Sequence, residues 1–266
     1  MKNVRAKKHL GQHFLRDEGI AGQIVESLTF HTNYGKVLEV GPGMGVLSKY
    51  LINKKVDLHV VELDRESVAY LKEKYTSLNE RIIEGDFLKL DFNRYFSEPF
   101  GIIGNFPYNI SSQIFFKVLE FKNQIPEVVG MVQKEVGSRI ACKHGSKEYG
   151  ILSVLLQAFY NIEYLFTVEE HVFDPPPKVK SAVIRLKRND REKLPVNEVL
   201  FFKVVKQSFS TRRKTLRNAL KPYNLPPELV SDKVFDLRAE QLSVEDFIDL
   251  TGRIQVELKK RSSNEL

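Results

Sequence analysis

The chain has very little cysteine and no long apolar run. Only one of its 266 residues is a cysteine, Cys142, so an internal disulfide framework and a cysteine-rich metal site are both excluded. No run of about 18 apolar residues occurs, which argues against a membrane span. The basic N-terminus has no apolar segment behind it, so we do not expect a signal peptide. The histidines show no ligand spacing, and we expect no metal. Together these features predict a cytoplasmic protein.

Size and charge narrow the class further. Hydrophobic residues make up 42% of the chain, which is enough for a substantial core. At about 150 residues per domain, the length suggests one large or two unequal domains. The formal net charge of +7 is typical of a protein with a polyanionic partner. A requirement for solubility would also explain such a charge. The position of the basic residues in the chain must therefore distinguish between the two explanations.

Strand-like and helix-like patterns alternate in the first 190 residues. The alternation predicts βαβ units and a mostly parallel sheet. Two later runs, 160–168 and 181–187, have no long helix between them and predict a late antiparallel pair. The predicted strands before them are 37–40, 59–63, 81–83, 100–103 and 128–132. The predicted helices are 20–28, 46–52, 67–75, 112–121 and 149–158.

The pattern changes near residue 190. From residue 197 onward, apolar residues recur at helical spacing, as with Phe247, Leu250 and Ile254. We therefore predict an α/β domain over 1–190 and a small all-α C-terminal domain over 191–266.

A glycine-rich turn follows the first predicted strand. Gly41, Gly43 and Gly45 allow a ligand to approach the backbone closely, and Glu62, about 20 residues on, suits a ribose hydroxyl. A dinucleotide fingerprint needs glycine where Val46 stands. The spacing therefore favours a nucleoside without pyrophosphate, such as S-adenosylmethionine. A tight turn with no ligand can have the same glycine spacing.

Two acids complete the predicted cofactor pocket. Glu39 suits the positive methionyl end of S-adenosylmethionine, and Asp86 suits the adenine amine. Glu62, Asp86 and Asn105 stand at successive strand ends, which is where open α/β sheets bind ligands.

The segment Asn105-Phe106-Pro107-Tyr108 follows a buried strand. The Asn105 side-chain oxygen can accept a hydrogen bond from a planar amine, and the Phe106 carbonyl precedes a proline, which has no N–H. The Tyr108 ring suits a flat heterocycle. Two acceptors on the exocyclic amine of adenine would free its lone pair for attack on an activated methyl group. A strand followed by a turn is the alternative. Ser111 and Ser112 are candidate helix caps.

At this point the chain resembles the S-adenosylmethionine-dependent ribosomal RNA adenine dimethyltransferases, and more closely their small-subunit (16S) branch. The similar motifs are the N-terminal segment 8–15, the 173–179 segment Phe-Asp-Pro-Pro-Pro-Lys-Val, and the 209–217 segment. The resemblance implies a Rossmann-like class I methyltransferase sheet that modifies two adjacent adenosines near the 3′ end of 16S rRNA. His13 stands where many members have Asn, and Phe106 where Leu is common.

The resemblance also implies roles for individual residues. It implies that Phe173 packs against the target base beside Tyr108. It maps the cofactor pocket onto a set of seven residues: His13, Leu15, Gly41, Gly43, Glu62, Asp86 and Asn105.

The segment 203–221 contains seven basic residues and no acid. A run this one-sided is typical of contact with RNA phosphates, although a solvated helix face is the common explanation. We predict that RNA is bound by Arg212, Arg213, Lys214 and Arg217.

The sequence therefore predicts a monomer that acts on 16S rRNA in the small ribosomal subunit or its precursor. Three alternatives stay open: a 23S rRNA methyltransferase, a DNA adenine or protein glutamine methyltransferase, and a non-catalytic assembly factor.

Overall fold

The computed structural model describes residues 4–54, 56–211 and 213–264. The chain divides into two units. The first unit consists of the residues up to Ser138 together with Tyr160–Arg188. The second unit consists of Arg139–Phe159 together with the residues from Asn189 onward. The structure therefore groups the segment Arg139–Phe159 with the C-terminal helices. The domain limits of 1–190 and 191–266 stay a prediction.

Nine strands lie in the described part of the chain. They are β1 Phe14–Leu15, β2 Lys36–Val40, β3 Asp57–Glu62, β4 Ile82–Glu84, β5 Phe100–Asn105, β6 Glu127–Gln133, β7 Tyr160–Val168, β8 Phe173–Asp174 and β9 Ser181–Arg188. Seven of them form one sheet in the order β4-β3-β2-β5-β6-β9-β7, and β1 pairs with β8. Strands β2 to β6 pair in parallel, whereas β9 is antiparallel to both β6 and β7.

The strand order positions the functional site. From β2 the chain moves outward through β3 and β4, then returns to place β5 on the other side of β2. The connections therefore diverge where β2 and β5 are neighbours, and a crevice opens beyond their carboxyl ends. All residues of β5 except Asn105 are buried, as expected for a central parallel strand with both faces covered.

Helices connect the strands and form the second unit. They are α1 Glu18–Glu26, α2 Ser48–Ile52, α3 Arg65–Lys74, α4 Ser111–Glu120, α5 Lys134–Ala141, α6 Ile151–Gln157, α7 Glu198–Ser208, α8 Leu216–Ala219, α9 Pro227–Val230 and α10 Val244–Asn264. Several of these helices begin at a polar residue whose side chain caps the first turn. The Asp17 side chain accepts a hydrogen bond from the Ile20 N–H, and the Asn197 side chain accepts one from the Leu200 N–H, so each caps its helix.

The second unit is held together by the apolar faces of its helices. Phe201 and Val204 of α7 and Leu250 and Ile254 of α10 are buried. The Phe247 ring stacks on Phe209, with ring centroids 5.9 Å apart. The 3.6-residue periodicity seen after residue 197 therefore marks the side chains that form this core.

The fold class is confirmed: a mostly parallel class I sheet with a late antiparallel strand, followed by helices. The expectation that Ser111 or Ser112 caps a helix is wrong. Ser111 is the first residue of α4, and its hydroxyl donates to the Tyr108 carbonyl at 3.2 Å. The sequence did not predict α5 or the small β1–β8 sheet. None of the helices in the described part of the chain has both the length and the hydropathy that a membrane span requires.

Candidate active site

A cleft lies at the carboxyl ends of the parallel strands. Its walls come from the N-terminal segment and from the residues that follow β2, β3, β4 and β5. The predicted residues that line it are His13, Gly41, Gly43, Glu62, Asp86, Asn105, Phe106, Pro107 and Tyr108. The fold therefore brings these nine together, although they come from five separate stretches of sequence.

The glycine turn leaves the backbone open towards the cleft. Gly41 and Gly43 adopt positive φ angles of 65° and 55°, which residues other than glycine adopt only with strain. A Cβ on Gly43 would lie 2.8 Å from the Phe14 ring. Glycine at this position therefore meets both a conformational and a steric requirement.

Glu62 is buried at the end of β3, with 5% of the residue exposed. Its two carboxylate oxygens accept hydrogen bonds from the backbone N–H groups of Gly43 at 3.0 Å and Asp64 at 2.8 Å. Burial raises its pKa, and the hydrogen bonds from these backbone N–H groups partly oppose that effect. The carboxylate is thereby fixed in the wall of the cleft, where its remaining lone pairs can accept from hydroxyl groups.

Asp86 follows β4 and is half-buried. One carboxylate oxygen accepts a hydrogen bond from the Leu88 N–H at 3.0 Å. The other oxygen remains available as an acceptor, apart from a 4.0 Å ion pair with Lys89.

Glu39 lies in the wall of a second cavity, whose lining shares Phe14, Gly41 and Asn105 with the cleft. The residue is 1% exposed, and the Ser48 hydroxyl donates to it at 2.6 Å. Burial raises its pKa to about 8. Its carboxyl group is therefore mostly protonated at neutral pH in the free protein, and attraction of a cation would first require loss of that proton.

Asn105 is oriented by the N-terminal segment. Its side-chain nitrogen donates to the backbone carbonyl of His13 at 2.8 Å. Because the amide is planar and its nitrogen is engaged, the orientation of its oxygen is fixed. The oxygen is the atom required to accept a hydrogen bond from an amine.

The Phe106 ring is buried, and the Phe106 backbone extends the pairing of β5 with β6 by one residue. The Phe106 N–H donates to the Met131 carbonyl at 3.0 Å. A Cβ on Gly130 would lie 2.4 Å from the Phe106 ring, and a Cβ on Gly104 would lie 3.0 Å from it. The two glycines therefore provide the space in which this phenylalanine packs.

Tyr108 is another residue of the cleft wall. Its ring stacks on the His13 ring, with centroids 5.3 Å apart and planes inclined by 27°. Its hydroxyl shares a hydrogen bond with the Ser181 hydroxyl, and burial raises its pKa. The His13 Nδ1 is within 2.8 Å of the Pro175 carbonyl, so His13 links Tyr108 to the proline segment.

Phe173 is not among the described residues that line the cleft, and its expected contact with the target base stays a prediction. It is 3% exposed and packs in a hydrophobic cluster with Leu15 and Val168. The cause is the β1–β8 pairing, which sets Phe173 opposite Leu15. Residues directly opposite each other in an antiparallel pair share one face, and the burial of Leu15 and Phe173 shows that this face is turned to the core. In this arrangement His13, not Phe173, is the ring next to Tyr108.

The same pairing turns Leu15 towards the core, where it is 4% exposed and borders the second cavity. That cavity shares Gly41 and Asn105 with the cleft, and the cofactor role of Leu15 stays a prediction. Its neighbour Phe14 lines both the cleft and the second cavity, a position that was not predicted from the sequence. Recognition of a strand at 14–15 would have predicted that Phe14 and Leu15 face opposite sides. A strand of two residues, however, is too short to show a periodicity in the sequence.

The basic segment separates into residues with different surroundings. Arg213 and Lys214 are exposed before α8, whereas Arg212 lies outside the described residues. Arg217 is bound by its own unit: its guanidinium pairs with Asp236 at 2.6 Å and donates to the Val230 carbonyl at 2.6 Å. The sequence run holds no acid, but the fold supplies one from 19 residues further on. Arg217 therefore has a partner within its own unit, and its contact with RNA stays a prediction.

Within the described residues, no group of three or more histidine, cysteine, aspartate or glutamate side chains is arranged to hold a metal ion.

Comparison with known proteins identifies the family. A family model described as ribosomal RNA adenine dimethylase matches residues 3–255. The ribosomal RNA small subunit methyltransferase A of Cytophaga hutchinsonii is 60% identical over 96% of this chain and 99% of its own length. The protein of the same name from Flavobacterium johnsoniae is 59% identical over 97% of this chain and 98% of its own length.

Solved structures agree in fold. A dimethyladenosine transferase from Plasmodium falciparum superimposes with a TM-score of 0.77 at 23% identity, covering 94% of this chain and 98% of its own. The 23S rRNA methyltransferase ErmE gives a TM-score of 0.66 at 24% identity, covering 90% and 99%. From the matched family model and the two curated relatives, the chain belongs to the ribosomal RNA adenine dimethylase family.

Proposed function

We propose that this protein is a ribosomal RNA adenine dimethyltransferase of the small subunit. It transfers methyl groups from S-adenosylmethionine to the exocyclic amines of two adjacent adenosines near the 3′ end of 16S rRNA. Relatives that cover nearly the whole chain at 59–60% identity carry a small-subunit name, which favours this substrate over 23S rRNA. The protein acts as a monomer in the cytoplasm, on the small subunit or its precursor.

The cleft residues fit the cofactor. Glu62 offers fixed carboxylate oxygens for the ribose hydroxyls, and Asp86 offers an acceptor for the adenine amine. Val61, Leu63 and Phe87 give the same cleft apolar walls, as a flat heterocycle requires. When bound, S-adenosylmethionine supplies a methyl group already activated by its positive sulfur.

One observation carries the catalytic assignment. The Asn105 nitrogen is engaged by the His13 carbonyl at 2.8 Å, which leaves the side-chain oxygen to accept from the substrate amine. The Phe106 carbonyl lies next in the chain, before Pro107, and offers a second acceptor. Two acceptors on one amine favour tetrahedral geometry at nitrogen, and such preorganised contacts lower the barrier most when they strengthen in the transition state.

Tyr108 supplies a stacking surface for the base. The target adenine must leave the RNA stack to reach a buried strand end, and aromatic rings stabilise an unstacked base. The hydrogen bond between the Tyr108 and Ser181 hydroxyls anchors the outer end of the ring. The amine loses its proton after attack, so no strong general base is needed.

RNA affinity is assigned to the second unit. Arg213 and Lys214 are exposed there. Lys203 and Lys206 border a shallow depression with Tyr223. Clustered cations beside an aromatic ring suit a phosphate backbone and its bases.

The decisive experiment maps the methylated bases. Wild-type protein is incubated with labelled S-adenosylmethionine and small subunits that lack the modification, and the rRNA is analysed by mass spectrometry. We expect dimethylation of two adjacent adenosines near the 3′ end of 16S rRNA. Asn105→Ala should lower turnover by about a hundredfold or more while RNA affinity changes little. Labelling of 23S rRNA, or of no RNA, would overturn the proposal.

A further inference from the structure

The N-terminal residues 7–14, which we name the strap, form one wall of the cleft. The strap begins with a 3₁₀ turn at Lys8–Leu10 and bends at Gly11, where φ is 66°. It then enters β1. The strap residues that line the cleft are Leu10, Gly11, Gln12, His13 and Phe14.

The strap is anchored at its C-terminal end and in the middle. At the C-terminal end, Phe14 is paired with Asp174 in the β1–β8 ladder. In the middle, a Cβ on Gly11 would lie 2.5 Å from the Asn109 side-chain oxygen, so the backbone is in close approach there. These contacts fix the strap near His13 but leave its first residues to be held in another way.

Lys7 provides the anchor at the N-terminal end. Its ammonium forms an ion pair with Asp64 and a second with Glu66 at 3.2 Å. The Asp64 side chain is 1% exposed, whereas that of Glu66 is 62% exposed. Exposed pairs contribute little, so Asp64 is the partner that matters.

Asp64 connects this anchor to the cofactor site. It stands two residues after Glu62 and caps α3, accepting hydrogen bonds from the Glu66 N–H and the Ser67 hydroxyl. Burial alone would raise the pKa of Asp64, but the Lys7 ammonium and these hydrogen bonds outweigh it and lower the pKa. A buried carboxylate that loses its cation is strongly unfavourable.

We propose that Lys7 is a latch: by pairing with Asp64 it holds the strap closed over the bound cofactor and so sets the affinity for S-adenosylmethionine. The inference rests on the proposed function, which supplies the ligand. Lys7 is a positioning residue, since it does not line the cleft formed by the described residues. Without the latch, the Leu10–Gln12 wall opens and the cofactor dissociates faster.

The test compares Lys7→Met, which keeps the aliphatic stem and removes the charge, with Lys7→Arg, which keeps the charge. Lys8→Met is the matched control, because Lys8 is exposed on the same strap. Calorimetry with S-adenosylmethionine should show affinity about tenfold weaker for Lys7→Met, as for loss of a charge-assisted bond. Lys7→Arg and Lys8→Met should stay within about twofold of wild type. In turnover assays, Lys7→Met should raise KM for the cofactor with little change in kcat.

Hydrogen exchange of the free protein gives a readout independent of activity. The Leu10 and Gly11 N–H groups bond to the Lys7 and Lys8 carbonyls at 3.0 Å each. In Lys7→Met, a peptide covering the strap should exchange faster, while peptides from β2 and β5 should match wild type. Uniformly faster exchange would mean that Lys7 only stabilises the fold, and the latch would be rejected.

The outcomes separate the two proposals. If wild-type protein binds the cofactor and Lys7→Met binds it equally well, the latch is wrong and the proposed function stands. If wild-type protein binds no S-adenosylmethionine, the proposed function is wrong as well.

Discussion

The buried Glu39 should make the protein less stable as pH rises. Its pKa is raised from 4.5 to about 8 by burial, with a further contribution from the charge of Glu62. In the unfolded chain a glutamate loses its proton near its ordinary pKa, whereas native Glu39 keeps its proton until about pH 8. Between these values the native state binds more protons, so the free energy of unfolding falls as pH rises.

The magnitude follows from the separation of the two pKa values. Each unit corresponds to about 1.36 kcal/mol, so the full effect is about 5 kcal/mol, and about 2–3 kcal/mol falls between about pH 5.5 and about pH 7.5. Glu39→Gln removes the titration and keeps an acceptor for the Ser48 hydroxyl, which donates at 2.6 Å in the native protein. The free energy of unfolding of Glu39→Gln, relative to that of wild type, should therefore rise by about 2–3 kcal/mol between about pH 5.5 and about pH 7.5.

Urea unfolding followed by circular dichroism, at several pH values, measures this difference. Glu73→Gln on α3 is the control, because Glu73 is exposed. Below about pH 4.5 both states are protonated, and the advantage of Glu39→Gln should disappear. Parallel stability curves for wild type and Glu39→Gln would mean that native Glu39 titrates as it does in the unfolded chain, and that its burial does not cause the expected loss of stability.

Three further changes test other parts of the site. Glu62→Ala should weaken S-adenosylmethionine binding by about 2–3 kcal/mol in calorimetry, and wild-type protein should not bind NAD; unchanged affinity would exclude Glu62 from the pocket. Gly130→Ala places a Cβ 2.4 Å from the Phe106 ring and should destabilise the fold by about 1–3 kcal/mol. Phe106→Leu in the same chain should restore part of that loss in thermal unfolding, and failure to do so would contradict the packing argument. Changing Arg213 and Lys214 to Gln should reduce the slope of log RNA affinity against log salt by about 1.5, with cofactor affinity unaltered; an unchanged slope would reject phosphate contact by this pair.

Much of the cleft could be predicted because each residue carries a local signal. Gly41, Glu62, Asp86 and Asn105 each stand at the end of a recognisable strand. In a parallel sheet those ends meet at one edge, so the sequence order of strands is enough to collect them. Their roles with the cofactor and the base stay predictions that the experiments above test.

Other features depend on contacts that no local pattern records. The pairing of Leu15 with Phe173 joins positions that are far apart in the sequence. It decides that Phe14 faces the cleft and that Phe173 faces the core. Likewise, the sequence run around Arg217 has no acid, and only folding brings Asp236 to its guanidinium.

Periodicity and contiguous motifs were enough to predict the parallel sheet, the late antiparallel pair, the helical C-terminal region and the family. How the side chains meet could be seen only in the folded chain. Folding places the His13 ring against Tyr108, orients the Asn105 amide through the His13 carbonyl, and pairs Lys7 with Asp64. Such contacts depend on strand alternation and on approaches between distant segments, neither of which a local sequence window contains.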